Sequence, residues 1–326
     1  MSTEGGTKAV LAAAAANGTI ALAKFGAWLL TGASSLLAEA IHSIADTGNQ
    51  ALLLIGGKRS KKTADEDHPF GYGKERYLSA FLVSIILFSV GGMFALYEAY
   101  HKYHEVASGH PDELLTSQWW WVPIAVLVLA IVAESFSLRT AVIETNAVRG
   151  KKTLWRFVRA SKSPELPVIL LEDIAALTGL VFALAGVGLT LVTGNAIFDV
   201  IGTAAIGFLL VIVAIILAVE TKSLLIGEAA SPEAVKRIKE AITKTAGVEQ
   251  IIHVRTMHLG PESMLLAAKI AVNRSSSAAE IIDIINAAEV NIRAVEPSAT
   301  ALYLEPDFYD PNYISQLSGN KAEDSQ

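Results

Sequence analysis

The chain has 326 residues, no cysteine, a net charge of -6, 52% hydrophobic and only 18% charged residues, with a pI of about 5.7 and a mean hydropathy of +0.44. That apolar excess argues for several membrane spans and against a soluble fold, and the acidic balance gives no support to nucleic-acid binding. Without cysteine there are no disulfides, thiolate metal sites or thiol nucleophiles, which leaves His, Asp and Glu as the strong metal donors.

After an N-terminal segment at residues 1–8, a first span is predicted over about residues 9–30, interrupted by Asn17 and Lys24. The alanine run at 12–16 allows a signal peptide as the rival reading, but the apolar stretch continues through Lys24 toward Trp28. Lys24 is expected to pair with an acid inside the bundle or to snorkel. A short TGASS link then makes an antiparallel hairpin with a second span at residues 36–57, LLAEAIHSIADTGNQALLLIGG. This stretch carries His42, Asp46 and Asn49 near its middle, where ionisable groups are expensive and usually functional. Residues four apart share a helix face, so His42 and Asp46 could hold one small cation between them. Zn2+ takes about four donors, so this helix supplies half a site and another span must supply the rest. The competing reading is that the polar pair hydrogen-bonds a neighbouring helix as structural glue.

A polar loop, KRSKKTADEDHPFGYGKER, follows, with Lys58, Arg59, Lys61 and Lys62 ahead of Asp65, Glu66, Asp67 and His68. The third span is predicted over about residues 77–100 and leads to a loop holding His101, His104, Glu105, His110, Asp112 and Glu113. Trp119, Trp120 and Trp121 anchor the start of a fourth span at the interface, continuing to about residue 138. Glu134 and Arg139, near its other end, are expected to pair with polar neighbours. Residues 149–162 form a basic linker with Lys151, Lys152, Arg156 and Arg159. Basic loops prefer the cytoplasm, and both lysine-rich loops fall on one side of a six-span alternation, which places both termini in the cytoplasm.

The fifth span is predicted at residues 166–193 and the sixth at 197–226, across a tight TGN turn. Glu172 and Asp173 sit inside the fifth. At about 1.5 Å of rise per residue, Asp46 lies roughly 14 Å and Asp173 roughly 10 Å above the inner face, so the two acids can meet. After Gly227 the composition becomes that of a small soluble domain. Ser231-Pro232 reads as an N-cap with proline at the first helical position, opening a helix to about Thr245. Alternating segments at 250–258 and 263–272 read as strands. Ser277 and Glu280 form a capping-box pattern before a helix ending near Val295, and residues 300–305 read as a last strand. The order αββαβ gives a compact sheet with helices on one face. The domain scheme is therefore 1–8, a transmembrane domain at 9–226, a cytoplasmic domain at 227–308 and a polar tail at 309–326.

AEAIHSIADTGNQ in the second span, DEDHPFGYGKER after it, six spans and an αββαβ domain together resemble the cation diffusion facilitators, a family of zinc and other divalent-metal transporters. The resemblance runs from about Lys8 to Pro306, and LLEDIAAL is similar to the branch related to the ninth zinc-transporter type of animals. It implies a transport site with two ligands from the second span and two from the fifth, each pair at i and i+4. His42 and Asp46 match the first pair, and Asp173 matches the second acid of the later pair. Ile169 stands where the fourth ligand belongs. Glu172, Asn49 or water are the candidates to complete the shell, while a salt bridge from Glu172 to Lys24 or Arg139 is the structural alternative.

The family also has a metal site in the loop after the second span. Asp65 and His68 match it, but Tyr72 replaces a family histidine, so a weak or absent loop site follows, with Gly71 and Gly73 shaping the turn. Relatives bind zinc in the cytoplasmic domain through several histidines. Here His253 and His258 fall on opposite faces of one strand, which implies a homodimer without a full zinc cluster.

The resulting expectation is a helical membrane protein with six spans and a small α+β, ferredoxin-like domain. It would export Zn2+ by alternating access in exchange for protons, with no cofactor and no enzymatic activity. Its partners would be the metal ion, protons, the lipid bilayer and a second copy of the chain, with no nucleic acid. A bacterial inner membrane is the expected location, with an organelle as the alternative. Rival readings are an Mn2+, Fe2+ or Co2+ exporter and a transport-inactive scaffold whose fifth-span site has decayed, for which Ile169 speaks. An intramembrane metallohydrolase lacks an HExxH motif or nucleophile constellation.

Overall fold

The computed structural model describes residues 3–309, with side chains from residue 17 onward. Residues 1–2 and most of the expected polar tail lie outside the described residues.

Two antiparallel helices open the chain, α1 (Thr3–Thr31) and α2 (Ser34–Arg59). The first begins inside the segment that was expected to precede it. The third span is longer than predicted and compound: α3 (Glu75–Ile86) passes through a π-helical stretch, Leu87–Met93, into α4 (Phe94–Ala107). A one-turn helix, α5 (Glu113–Thr116), precedes α6 (Val122–Arg149), which has proline in its first turn. α6 runs well past the predicted end near residue 138, because Val142 and Ala141 continue its apolar face against Val158 and Leu170. The basic linker is not open chain either. Thr153 accepts the Arg156 amide and caps α7 (Leu154–Ala160). Then come α8 (Glu165–Thr193), closed by Gly194 in the left-handed region, and α9 (Ile197–Ile226).

Four of these segments are long and apolar enough to cross a membrane among the described residues: Glu75–Ala107, Val122–Arg149, Glu165–Thr193 and Ile197–Ile226. α1, described with side chains only from residue 17, does not enter that count. α2 falls short because His42, Asp46, Asn49 and Gln50 lower the apolarity of its middle. Its polar face is nonetheless buried: α2 packs on α1, α3, the π-helical stretch, α4 and α8. Small residues make the close crossings possible. A Cβ on Gly186 of α8 would stand 2.9 Å from the Phe198 carbonyl, and one on Gly202 of α9 would stand 2.9 Å from the Phe182 carbonyl.

The C-terminal unit contains α10 (Pro232–Thr243), β1 (Val248–Gly260), β2 (Ser263–Val272), α11 (Ala278–Val295) and β3 (Ala301–Asp307), the αββαβ order read from the sequence. The sheet order is β1-β2-β3. β1 and β2 form an antiparallel hairpin, and β2 pairs in parallel with β3, which requires the α11 crossover. Met264, Leu266, Ala268 and Ile270 alternate along β2 into a core with Ile238 and Ile242 of α10 and Ile292 of α11. Ser231 caps α10, and Ser277 with Glu280 forms the capping box of α11. The loop Ser60–Lys74 groups with this unit rather than with the helical bundle, which departs from the domain scheme above. Gly73 makes one close approach within this unit, since a Cβ there would lie 2.6 Å from the Leu259 carbonyl.

Candidate metal centre

Glu39, His42, Asp46 and Asn49 follow one another at i, i+3, i+7 and i+10, so they form a single stripe along α2. Glu39, His42 and Asn49 are buried, and Asp46 is nearly so. The His42 ring lies beside the π-helical stretch, where a Cβ on Gly91 would be 3.9 Å from its Nδ1. π-helical insertions recur at functional sites. His42 Nε2 is 3.4 Å from Asp46 Oδ2. Both ring nitrogens of His42, Oδ1 of Asp46 and Oδ1 of Asn49 are buried with no hydrogen-bond partner. Unpartnered buried donors and acceptors are costly, and several on one stripe point to a missing polar occupant.

On α8 the adjacent acids diverge. Val168, Glu172, Ala175, Ala176 and Gly179 make the buried stripe of that helix, so Glu172 faces inward and Asn49 Nδ2 donates to its Oε1 at 2.7 Å. Asp173 lies about 100° further round. It accepts a hydrogen bond from Ser137 Oγ of α6 at 3.0 Å. Glu172, taken as the helper, meets α2, while Asp173, taken as the family-matching ligand, is turned to α6. The structural alternative for Glu172 also differs from expectation, since Lys24 pairs with Glu39 at 3.0 Å instead. The sequence reading placed Lys24 against a buried acid but passed over Glu39, whose signal was its position three residues before His42. Among the described residues no three His, Asp or Glu side chains already converge as a metal shell; what is assembled is the His42–Asp46 half, with Asn49 bridging to Glu172.

The turn between α1 and α2 is tied by a residue that sequence reasoning also missed. Asp199 of α9 accepts from the backbone amides of Ser34 and Ser35 and from the Ser35 hydroxyl, which satisfies the free N-terminus of α2.

In the loop after α2, Asp65 is already engaged. Its Oδ2 accepts from Lys62 Nζ at 2.8 Å and from the Tyr72 hydroxyl at 2.7 Å, and its Oδ1 accepts from the His68 amide at 2.9 Å. Those hydrogen bonds hold the Asp65 carboxyl well below the usual carboxylate range and raise Lys62. The His68 ring packs on Tyr72 at 4.4 Å between centroids. An ammonium thus stands where a loop metal would be needed. On β1, His258 is buried and His253 half-buried, with a register irregularity between Ile251 and His253.

The family described as cation efflux transmembrane domain matches residues 10–226. The human "Proton-coupled zinc antiporter SLC30A9, mitochondrial" is 34% identical over 259 residues, covering 79% of this chain and 44% of that protein. Metal tolerance protein C4 of Arabidopsis thaliana is 28% identical over 252 residues, 77% of this chain and 53% of that one. The chain spans about half the length of these curated relatives. Among solved structures, a nickel form of a MamM C-terminal-domain variant aligns with 24% of this chain and all of its own at 19% identity and a TM-score of 0.24, a level on which nothing here is built. A family match over two thirds of the sequence, together with its similarity to the SLC30A9 branch, establishes that this chain belongs to the cation efflux, or cation diffusion facilitator, family.

Proposed function

We propose that the protein exports a divalent metal cation, Zn2+ first, across a membrane in exchange for protons by alternating access. The observation that carries this reading is the stripe of unpartnered donors on α2, His42 Nδ1 and Nε2, Asp46 Oδ1 and Asn49 Oδ1, opposite Glu172. Imidazole with carboxylate and amide oxygen suits Zn2+, and carboxylates offset the cost of stripping water from a divalent ion. Proton coupling follows from the same donors. The metal needs neutral imidazole and ionised carboxylates, so protons and metal compete for the same atoms. His42, Asp46 and Glu172 are the proposed ligands, with Asn49 orienting Glu172 and Asp173 recruited only if α8 turns. Asp65 and His68 are not proposed as a metal site, because Lys62 holds Asp65.

Further parts of the reading are a six-span topology with both termini in the cytoplasm, a cytoplasmic αββαβ domain and a homodimer. The basic loops around Lys58–Arg59 and Lys151–Lys152 support the orientation. Nothing favours a bacterial inner membrane, and relatives named as mitochondrial turn the proposal toward an organelle membrane. One observation favours the inactive-scaffold reading: Asp173 is hydrogen-bonded to Ser137 and the four-ligand shell is not assembled. Zn2+ uptake into proteoliposomes under a pH gradient decides between them. Wild type should accumulate Zn2+, Asp46→Asn should lose uptake by about 100-fold, and Glu172→Gln should cost more than Asp173→Asn. Uptake of Mn2+ or Fe2+ but not Zn2+ changes the cargo, and uptake of none of them leaves the scaffold.

A further inference from the structure

The α2 stripe begins one turn before His42 at Glu39, a carboxylate that the metal chemistry above does not use. It is held by Lys24 of α1, whose Nζ lies 3.0 Å from Glu39 Oε2 and 2.8 Å from Ser43 Oγ. The side chains of Lys24 and Glu39 are 1% and 0% exposed, so this is a fully buried ion pair. Breaking such a pair from one side leaves an uncompensated charge in a medium of low dielectric constant. The pair is also incomplete. Glu39 Oε1 is buried without a hydrogen-bond partner. It sits against α8 at Gly179, where a Cβ would approach it to 2.5 Å, so α8 leaves a space for this carboxylate. His42, neither of whose ring nitrogens has a hydrogen bond, and Asp46, 3.4 Å from its Nε2, follow on the same stripe, and Lys24 lies within electrostatic reach of Asp46.

Lys24 and Glu39 therefore lie beside the His42–Asp46 half-site, each restraining the other, with Glu134 of α6 in electrostatic reach of the same group. We propose that the Lys24–Glu39 pair is a charge lock that sets the affinity of the site for its divalent cation. Glu39 keeps the Lys24 ammonium off Asp46, where it would compete with the metal as a tethered cation. Lys24 keeps Glu39 from joining His42 and Asp46 as a second carboxylate on α2, which would bind the ion too tightly to release. Both are positioning residues rather than ligands. The inference rests on the transport-site reading above.

Because the two halves of the lock oppose one another, the variants have opposite signs. Zn2+ binding isotherms on the full-length protein in lipid nanodiscs test this, with wild type, Lys24→Met, Glu39→Gln and the double variant. Lys24→Met should tighten the Zn2+ Kd by about 10-fold, since an unpaired Glu39 gains most by taking the ion. Glu39→Gln should weaken it by about 10-fold, as Lys24 turns to Asp46. The double variant should return to within about 3-fold of wild type, the non-additivity expected of a directly coupled pair. A pair that merely holds α1 to α2 would weaken binding in both single variants with no recovery in the double, and that outcome overturns the lock. Unchanged affinity in both singles overturns it equally. If Lys24→Met does not fold, weakening by Glu39→Gln with recovery in the double sustains the proposal, and no recovery rejects it. Wild type that binds no Zn2+ removes the site reading and the lock together, whereas wild type that binds with the wrong signs in the variants removes the lock alone.

Discussion

At the scale of single residues, α8 points its two adjacent acids in different directions. Glu172 continues the stripe of Val168, Ala175, Ala176 and Gly179 and so meets Asn49, while Asp173 is carried round to Ser137. Asn49→Leu removes the donor that holds Glu172, and the lost orientation should weaken Zn2+ binding by about 10-fold without changing the fold, read by isotherm and circular dichroism. The Ser60–Lys74 loop makes a separate prediction. Lys62 and Tyr72 depress Asp65, so its contribution to the loop is present above the ordinary value of 3.8 and is lost as pH falls through the lower folded value. Proteolysis of the loop should therefore stay flat from neutral pH to about pH 4 and rise only below that. In Lys62→Met the rise should begin at higher pH. Added Zn2+ should not protect the loop at neutral pH, because the ammonium already occupies the carboxylate.

At the scale of elements, glycine contacts decide how closely the helices cross. Gly186 and Gly202 let α8 and α9 approach until each glycine faces the other's backbone. Gly186→Val should cost about 1–3 kcal/mol, seen as earlier thermal unfolding in detergent, because the atoms it meets are main chain and cannot swing aside. Gly92, in the π-helical stretch, makes the same kind of approach to Val211 of α9, and Gly91 beside it faces Leu210 and His42. In the C-terminal unit the helices are closed by their own sequence. Ser231 Oγ accepts the Ala234 amide at 3.2 Å. Ser231→Ala should lower the opening free energy of α10 by about 1 kcal/mol, measured as faster hydrogen exchange of its first-turn amides with β2 unchanged.

For the whole molecule, the absence of cysteine makes topology directly measurable. Glu75–Ala107 is one helical segment apolar enough to cross a bilayer. Lys61→Cys and His110→Cys, both at exposed positions on either side of it, should label from opposite faces with a membrane-impermeant maleimide. Labelling of both from the same face would rule out a crossing there. α2 is the helix that apolarity alone does not certify as a span, and its polar groups are met inside the bundle, Glu39 by Lys24 and the N-terminal amides by Asp199.

The local part of this protein was written in its sequence. The Ser231 and Ser277 caps and the alternation along residues 263–272 depend on neighbours within a few positions, and those elements stand where the residues put them. His42 and Asp46 were legible for the same reason, being four apart on one helix. Tertiary structure decided the rest. The rotation of α8 that turns Glu172 to α2 and Asp173 to α6 is set by which stripe packs on α2, and one residue of rotation is about 100°. The pairing of Lys24 with Glu39, the capture of Asp65 by Lys62 and the cap that Asp199 supplies are choices among several acids and bases. In a low-dielectric interior those choices go to whichever partner the packing brings within about 3 Å, and composition and spacing carry no record of that distance.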